Sequence, residues 1–252
     1  MTEVGNASFG TAIETVEAAA ASGIPLRLIG GLAIRYLTPD YPPRVRNDQD
    51  MDFASVSTAK NDVIQFLDGR GFLGDRRFNV MHGQRQMYFT TPDGLTSVDV
   101  IVDRLFMCHE LVFKERIDRM PVTIDITDLL LTKLQVVEQN EKDVHDIVYL
   151  LSAFEVKDGD DPGTIGLKRV GDVIRDDWGW WRTVTGNLDR VFELLGDDLK
   201  RLVPSGAKYD PAEQASAIRR FADTVPKTLR WKIRSRVGER VQWYELPEEV
   251  GH

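Results

Sequence analysis

The sequence predicts a mixed α/β (α+β) fold, with a mixed sheet and helices in its first half and a mostly helical second half. In residues 1–126, short apolar runs alternate with segments of helical composition, whereas from Thr127 onward the pattern changes to helices. A mixed sheet with helices on one face buries the apolar sides of such elements. The 252 residues, 42% of them hydrophobic, suffice for one large or two modest cores. We therefore divide the chain into a core domain, residues 1–126, and a helical region, residues 127–252.

The elements of the first half follow one another in a regular order. Helix is predicted over residues 8–22, 31–38 and 58–69. Strand is predicted over residues 24–29, 49–54, 78–91 and 95–103, with shorter strands at 111–117 and 121–126. Pro92-Asp93-Gly94 is a strong turn signal, which makes the two strands around it a hairpin. In the second half, helices are expected to begin near Thr127 and Lys142 and at Asp210-Pro211, and a strand signal recurs only at 241–244.

Asp50 and Asp52 are two residues apart in the predicted strand 49–54. Side chains at i and i+2 of a strand point to the same face, so these carboxylates repel each other unless a cation lies between them. Mg²⁺ prefers oxygen ligands of this kind, and Mn²⁺ is the alternative. Met51 and Phe53 take the opposite face and can enter a core. The strand is therefore predicted to hold a metal ion on one face and to pack on the other.

Gly30 and Gly31 join the predicted strand 24–29 to the predicted helix 31–38. Glycine allows the close approach of backbone N–H groups to an anion, and a helix N-terminus adds a partial positive charge. This pair therefore predicts a phosphate-binding turn, although a glycine pair is also typical of an ordinary turn.

Asp99 lies on the predicted strand 95–103, on the face opposite to three valines. Acids are seldom fully buried without a partner, so two interpretations stay open. Either Asp99 belongs to the solvated face of an edge strand, or it faces Asp50 and Asp52 as a third metal ligand or as a base.

The order of these features resembles the DNA polymerase β-like nucleotidyltransferase superfamily, in particular its small bacterial branches. Those branches have Gly-Gly or Gly-Ser before a helix, then an Arg-x-Thr-x-Asp-x-Asp strand, then a lone Asp. The residues that match are Gly30, Gly31, Arg46, Asp50, Asp52 and Asp99, within roughly residues 25–103. Asp48 departs from the pattern because it stands where Thr or Ser is usual, and Gly31 stands where many members have Ser.

The resemblance implies a nucleotidyltransferase-type sheet in residues 1–126 and a role for each matched residue. It implies that Asp50, Asp52 and Asp99 hold Mg²⁺ or Mn²⁺ and carry catalysis. It also implies that Gly30, Gly31 and Arg46 bind the nucleoside triphosphate.

A second resemblance begins at Lys133 and continues through Asp143 and Asp146. It is similar to the Lys-Leu…Arg/Lys-Asp-x-x-Asp-Leu pattern of abortive-infection and toxin–antitoxin nucleotidyltransferases. That resemblance implies that Lys133 and Asp146, with Asp143 as the alternative acid, complete the nucleotide site, and that an antitoxin protein is a partner. Lys-Asp-x-x-Asp at a helix start is also ordinary capping and dipole chemistry. The aminoglycoside nucleotidyltransferases share the Gly-Gly-x-Ala turn, here Gly30 to Ala33, and remain a competing resemblance.

The composition predicts a soluble cytoplasmic protein without a membrane span. One cysteine excludes an intrachain disulfide, which fits a reducing compartment. No segment approaches the roughly 20 apolar residues that a spanning helix needs. The net charge of −8 argues against a general nucleic-acid binder.

The stretch from Arg219 to Arg240 departs from this acidic balance, because it contains eight bases and only two acids. Trp231 lies inside it, and bases interleaved with an aromatic residue can hold phosphates and stack on a nucleobase. We therefore expect the acceptor to be RNA, bound through this stretch, although the stretch also suits a solvated helix face. The alternatives are an aminoglycoside-type small-molecule transferase and a non-catalytic nucleotide-binding or interaction protein of the same fold.

Overall fold

A computed structural model describes residues 3–42, 50–197 and 201–246 of the chain. The chain divides into two compact units. Unit 1 comprises residues 1–39, 43–105 and 112–125, and unit 2 comprises residues 40–42, 106–111 and 126–252. The predicted site residue Arg46, with Asp48 beside it, lies outside the described residues.

Unit 1 alternates helices and strands through most of its length. Its helices are α1 (Glu3–Ala21), α2 (Gly30–Leu37), α3 (Lys60–Gly69) and α4 (Arg76–His82). Its strands are β1 (Arg27–Leu28), β2 (Met51–Ser55), β3 (Leu73–Gly74), β4 (Gln86–Thr90) and β5 (Ser97–Val102). Short 3₁₀ turns cover Ser57–Ala59 and Lys114–Arg116. Strands β6 (Arg104–Phe106) and β7 (Glu110–Val112) follow, and the division between the units falls within them.

The five strands β1 to β5 form one mixed sheet in the order β1-β2-β5-β4-β3. Strands β2 and β5 are parallel, and the other neighbouring pairs are antiparallel. Burial alternates along β4 and β5, so that one face of the sheet enters the core and the other is half-buried. The largest side chains of the buried face are Phe53, Phe89, Met51 and Met87. The predicted mixed sheet with helices is confirmed.

Unit 2 is mostly helical, as predicted. Its helices are α5 (Ile126–Leu134), α6 (Glu141–Ala153), α7 (Leu167–Ile174), α8 (Trp178–Asp197), α9 (Pro211–Thr224) and α10 (Leu229–Val237). Two short parallel strands, β8 (Val156–Lys157) and β9 (Ile165–Gly166), lie between α6 and α7. Asn140 caps α6 through a capping box with Asp143, and Asp210 caps α9 with Pro211 in its first turn.

The structure shortens or replaces several predicted strands. The prediction of strand over 78–82 is wrong, because Asp75 accepts a hydrogen bond from the backbone N–H of Phe78 and thereby starts helix α4. The predicted strand 111–117 shrinks to β7, and 121–126 retains one isolated bridge between Leu28 and Thr123. Residues 241–244, which the structure describes throughout, do not form the predicted strand.

Helix α5 begins at Ile126, so the predicted helix start near Thr127 is confirmed and Thr127 itself lies inside the first turn. The Thr127 hydroxyl donates to the carbonyl of Thr164 and accepts from the backbone N–H of Gly166. Among the described residues, no helix combines the length and apolar character needed to cross a bilayer.

Candidate functional site

The central feature of the unit 1 sheet is a pair of carboxylates on neighbouring strands. Asp52 of β2 and Asp99 of β5 are register partners in the parallel ladder, and both are half-buried. Paired residues on strands about 4.8 Å apart project their side chains to the same face. The side-chain amide of Gln86 donates to Asp99 Oδ1 at 2.6 Å and orients that carboxylate. The structure therefore places two acids side by side that are 47 residues apart in sequence.

Asp50 lies immediately before β2, which begins at Met51, and its side chain is exposed. The i, i+2 argument requires both residues to be in strand conformation, and the strand includes only Asp52. Asp50 is thus close to the pair along the chain, but its orientation is not set by the sheet.

Gly30, the first glycine of the turn, lies directly beside the Asp52 carboxylate. Its φ of +69° is a left-handed conformation, and it is the first residue of α2. A Cβ at Gly30 would lie 2.5 Å from Asp52 Oδ2, so any larger residue would have to displace this carboxylate. The backbone N–H of Ile29 also donates to the Asp52 carbonyl at 3.0 Å. Gly31 follows in the first turn of α2 and is half-buried. The predicted turn and the predicted metal ligand are therefore in direct contact.

We expect Gly30→Ala to destabilise unit 1 by at least about 1–2 kcal/mol, the cost of a left-handed backbone at a non-glycine residue. The crowding against Asp52 adds to that cost, so the melting temperature should fall by several degrees. Thermal unfolding followed by circular dichroism measures the effect.

Two control variants separate the causes of this loss. Gly94→Ala shares the positive φ but meets nothing within 4 Å, and Gly10→Ala has neither problem. If Gly30→Ala melts no lower than Gly94→Ala, the close approach to Asp52 contributes nothing to stability.

The donor set in unit 1 suits a metal ion that arrives with a phosphate ligand. Among the described residues, no group of three or more His, Cys, Asp or Glu side chains is arranged to hold a metal ion alone. Mg²⁺ commonly takes one or two protein carboxylates and completes its shell with substrate phosphate oxygens and water. Asp52 and Asp99 supply such a pair, on the same face and next to a glycine turn.

Unit 2 contains the other predicted cluster. Lys133 Nζ lies 3.1 Å from Asp143 Oδ1 and 3.0 Å from Asp146 Oδ2. Asp146 is fully buried on α6, and Asp143 also belongs to the capping box of that helix. The three side chains join the end of α5 to the start of α6. The structure therefore brings Lys133 together with both candidate acids, and each contact also has a structural role.

The basic stretch 219–240 is partly used for structure. Arg219 binds Asp189 at 2.9 Å, and Arg234 donates to the carbonyls of Gly238 and Val241. The ring of Trp231 packs edge-on against Trp181, with centroids 5.3 Å apart.

Trp231 is half-buried, and this packing occupies part of its ring. Lys232 and Arg236 of α10 are exposed. They are therefore among the bases of the stretch that solvent and ligands can reach.

Gln86 and Tyr88 of β4 lie next to Asp99 across the hairpin, and the sequence motifs assigned neither of them to the site. The turn at Pro92-Asp93-Gly94 is present, with Asp93 accepting from Thr91 and from the N–H of Leu95. Counting residues back from this turn would have placed the polar positions of β4 on the same face as Asp99.

No protein family model and no curated protein matches the chain. One solved structure that it resembles is an antigenic nucleotidyltransferase-like protein from Paracoccidioides brasiliensis. The two are 14% identical with a TM-score of 0.43, and the similarity covers 82% of this chain and 95% of that chain. At this level the similarity assigns no residue a role.

Proposed function

We propose that the protein is a metal-dependent nucleotidyltransferase that moves a nucleoside monophosphate from a nucleoside triphosphate to an acceptor hydroxyl. The observation that carries this proposal is the pairing of Asp52 with Asp99 on one face of the sheet, with Gly30 against the Asp52 carboxylate. This arrangement offers two hard oxygen ligands next to backbone N–H groups at the start of a helix.

The residues of unit 1 have distinct roles in this reaction. Gly30 and Gly31 place backbone N–H groups beside the triphosphate, and Asp52 and Asp99 hold the metal ion, with Asp50 as a further ligand. When bound, Mg²⁺ or Mn²⁺ neutralises charge on the phosphates. The acceptor oxygen bonds to the α-phosphorus as the bond to the β-phosphate oxygen breaks. Pyrophosphate leaves, and the hydroxyl proton passes to Asp99 or to solvent.

Three further residues are proposed to bind the nucleotide because they match the family patterns described above. Arg46 and Lys133 would balance phosphate charge, and Asp146 would help to build the site. Lys133 contacts Asp143 and Asp146, so its charge is already opposed by two carboxylates. A phosphate must therefore compete with these acids for Lys133.

RNA is the acceptor we propose, and helix α10 supports it. The helix contains four bases and no acid, in a chain of net charge −8, and Lys232 and Arg236 are exposed. Phosphate groups are the natural counterions for such a surface. The competing acceptor is an aminoglycoside, for which the acidic total charge would be favourable.

A protein partner of the antitoxin kind is also proposed, and it is supported by the exposed apolar side chains of α10 rather than by its bases. Leu229, Ile233 and Val237 are exposed by 73%, 57% and 40%, and all three line one cleft of about 950 Å³ in unit 2. Exposed apolar groups that converge on one concavity are typical of protein interaction sites.

The proposed activity is tested by incubating the protein with each labelled nucleoside triphosphate, Mg²⁺ and a panel of acceptors. RNA, protein and small-molecule products are then separated. We expect label in RNA, and none without metal. If label is transferred to an aminoglycoside and not to RNA, the proposed acceptor is wrong, but the proposed reaction is still supported. No transfer to any acceptor, with no nucleotide-induced rise in melting temperature, would favour a non-catalytic protein of the same fold.

We expect the double variant Lys232→Ala/Arg236→Ala to weaken RNA modification and to flatten its salt dependence. Each lost phosphate contact removes one released counterion, so the slope of log affinity against log salt should fall by about 1 per contact. Arg230 and Arg234 are left intact, because they contact Asp176 and the backbone of Gly238.

The matched control is Arg190→Ala, which removes an exposed base from α8 of the same unit. An unchanged salt slope in the double variant would place RNA binding elsewhere than on α10.

A further inference from the structure

The face of the sheet that carries the two acids continues onto β4. Tyr88 is the register partner of Asp99 in the antiparallel β4–β5 ladder, and Asp99 is the partner of Asp52. Residues paired across neighbouring strands share a face, so the three side chains form a row across β2, β5 and β4. Gly30 contacts the Asp52 end of this row. The row therefore has the Gly30 turn at one end and a tyrosine at the other.

Aromatic rings extend the row beyond β4. The ring of Phe78, on α4, lies 6.1 Å from the ring of Tyr88 at an angle of 63°. The ring of His82 lies 4.7 Å from that of Phe78. Phe78 and Tyr88 are half-buried and His82 is exposed, so each ring keeps accessible surface. We call these three residues the aromatic face.

Short hydrogen bonds fix the aromatic face in place. The side chain of Asn79 accepts from the backbone N–H of Tyr88 at 2.6 Å and donates to its carbonyl at 3.0 Å. Asp75 caps α4, and its own N–H donates to the carbonyl of Tyr88. The Tyr88 hydroxyl shares a hydrogen bond of 3.1 Å with Ser97. The Tyr88 ring, held in this way, loses little conformational entropy when a ligand stacks on it.

The segment that builds the aromatic face is basic. Residues 76–92 contain three arginines, Arg76, Arg77 and Arg85, and are flanked by the acids Asp75 and Asp93. All three arginines are exposed. Accessible rings combined with exposed bases are the features by which proteins bind single-stranded nucleic acid, stacking on bases and neutralising phosphates. A polycationic small molecule would be repelled by the same segment.

We propose that the aromatic face binds the terminal nucleotide of a single-stranded nucleic-acid acceptor. This inference rests on the proposed function, because that function assigns the triphosphate to the Gly30 end of the row and the metal to Asp52 and Asp99. The acceptor hydroxyl must then approach from the side of Asp99 that faces away from Gly30. Tyr88 occupies that side, on the next strand.

The test is the binding of a 5′-labelled single-stranded RNA of about ten nucleotides, a length within the site sizes of single-strand binders. Fluorescence anisotropy is measured in EDTA without any nucleoside triphosphate. We expect Phe78→Leu/His82→Ala to weaken binding about tenfold or more, as loss of base stacking does. Arg76→Ala/Arg77→Ala should weaken binding and flatten its salt dependence.

Two control variants accompany these replacements. Arg70→Ala removes an exposed base of the same unit from outside the segment and should bind RNA as the wild type does. Tyr88→Phe keeps the ring and loses the hydrogen bond to Ser97, so most of the affinity should remain. If the double ring variant fails to fold, the paired arginine variant still tests the site.

The outcomes separate this inference from the proposed function. Wild-type affinity in both double variants, or no single-strand binding by the wild type, would overturn the inference. The inference would also be overturned if the wild type bound an aminoglycoside and the Phe78→Leu/His82→Ala variant did not. A different result would overturn the proposed function and leave the RNA-binding site standing. In that case the wild type binds RNA and the ring variant does not, while triphosphate with Mg²⁺ leaves the melting temperature of the wild type unchanged.

Discussion

Asp52→Asn and Asp99→Asn are each expected to lower nucleotidyl transfer by a hundredfold or more. Each variant removes one of the two carboxylate charges that lie side by side on β2 and β5. The metal ion is thereby held less tightly, and charge neutralisation at the phosphates contributes several kcal/mol to catalysis. Single-turnover transfer from a labelled triphosphate measures the loss. Asp68→Asn, an exposed acid of α3 in the same unit, should transfer at the wild-type rate.

The same variants should remain folded, which distinguishes a catalytic loss from a structural one. Removing one of two neighbouring like charges relieves repulsion, so the metal-free variants should be at least as stable as the wild type. In the Asp99→Asn variant the side-chain carbonyl oxygen can still accept from the amide of Gln86, which preserves the local contact. Wild-type rates in both variants would show that the carboxylate pair does not carry the reaction.

The stability of the protein is expected to fall as the pH drops from 6.5 toward 4, because of His109. Burial lowers the pKa of His109 from 6.5 to about 4, against the opposing effect of Asp177. The unfolded chain therefore binds a proton in this window while the folded chain does not. The contribution of neutral His109 to the free energy of unfolding is fully present above pH 6.5. It decreases by at most about 3 kcal/mol as the pH falls from 6.5 to 4.

His109 is buried, and its ring contacts two side chains of α8. Its Nε2 shares a hydrogen bond of 2.8 Å with Thr183 Oγ1, and its ring stacks on Trp180 at 5.0 Å. Urea unfolding at pH 7 and at pH 4.5 measures the change. His109→Gln removes the titrating group and keeps a side chain able to bind Thr183. It should therefore show the smaller loss between these pH values, and an equal loss would assign the pH dependence to other groups.

Local sequence rules by themselves determined much of the fold. The alternation of Val98, Val100 and Val102 predicted the buried face of β5, and the turn at 92–94 predicted the hairpin. Asp210-Pro211 predicted the start of α9. These predictions succeeded because alternation, turn chemistry and helix capping act over a few residues, where the sequence is the whole environment.

Only the tertiary structure decided which acids meet. Asp52 and Asp99 are paired by a parallel ladder between strands far apart in sequence, and no local rule specifies that register. The start of β2 at Met51 separates Asp50 from the strand, and Gly30 takes its positive φ beside Asp52.

The aromatic face depended on tertiary structure in the same way. Residues 76–82 fold as a helix because Asp75 caps them and Asn79 binds the edge of β4 at Tyr88. Strand register and helix docking depend on the packing of distant segments, whereas periodicity and caps depend on neighbours along the chain. The sequence therefore determined the elements and the chemical types of the site, and the tertiary structure determined which of those residues share a face.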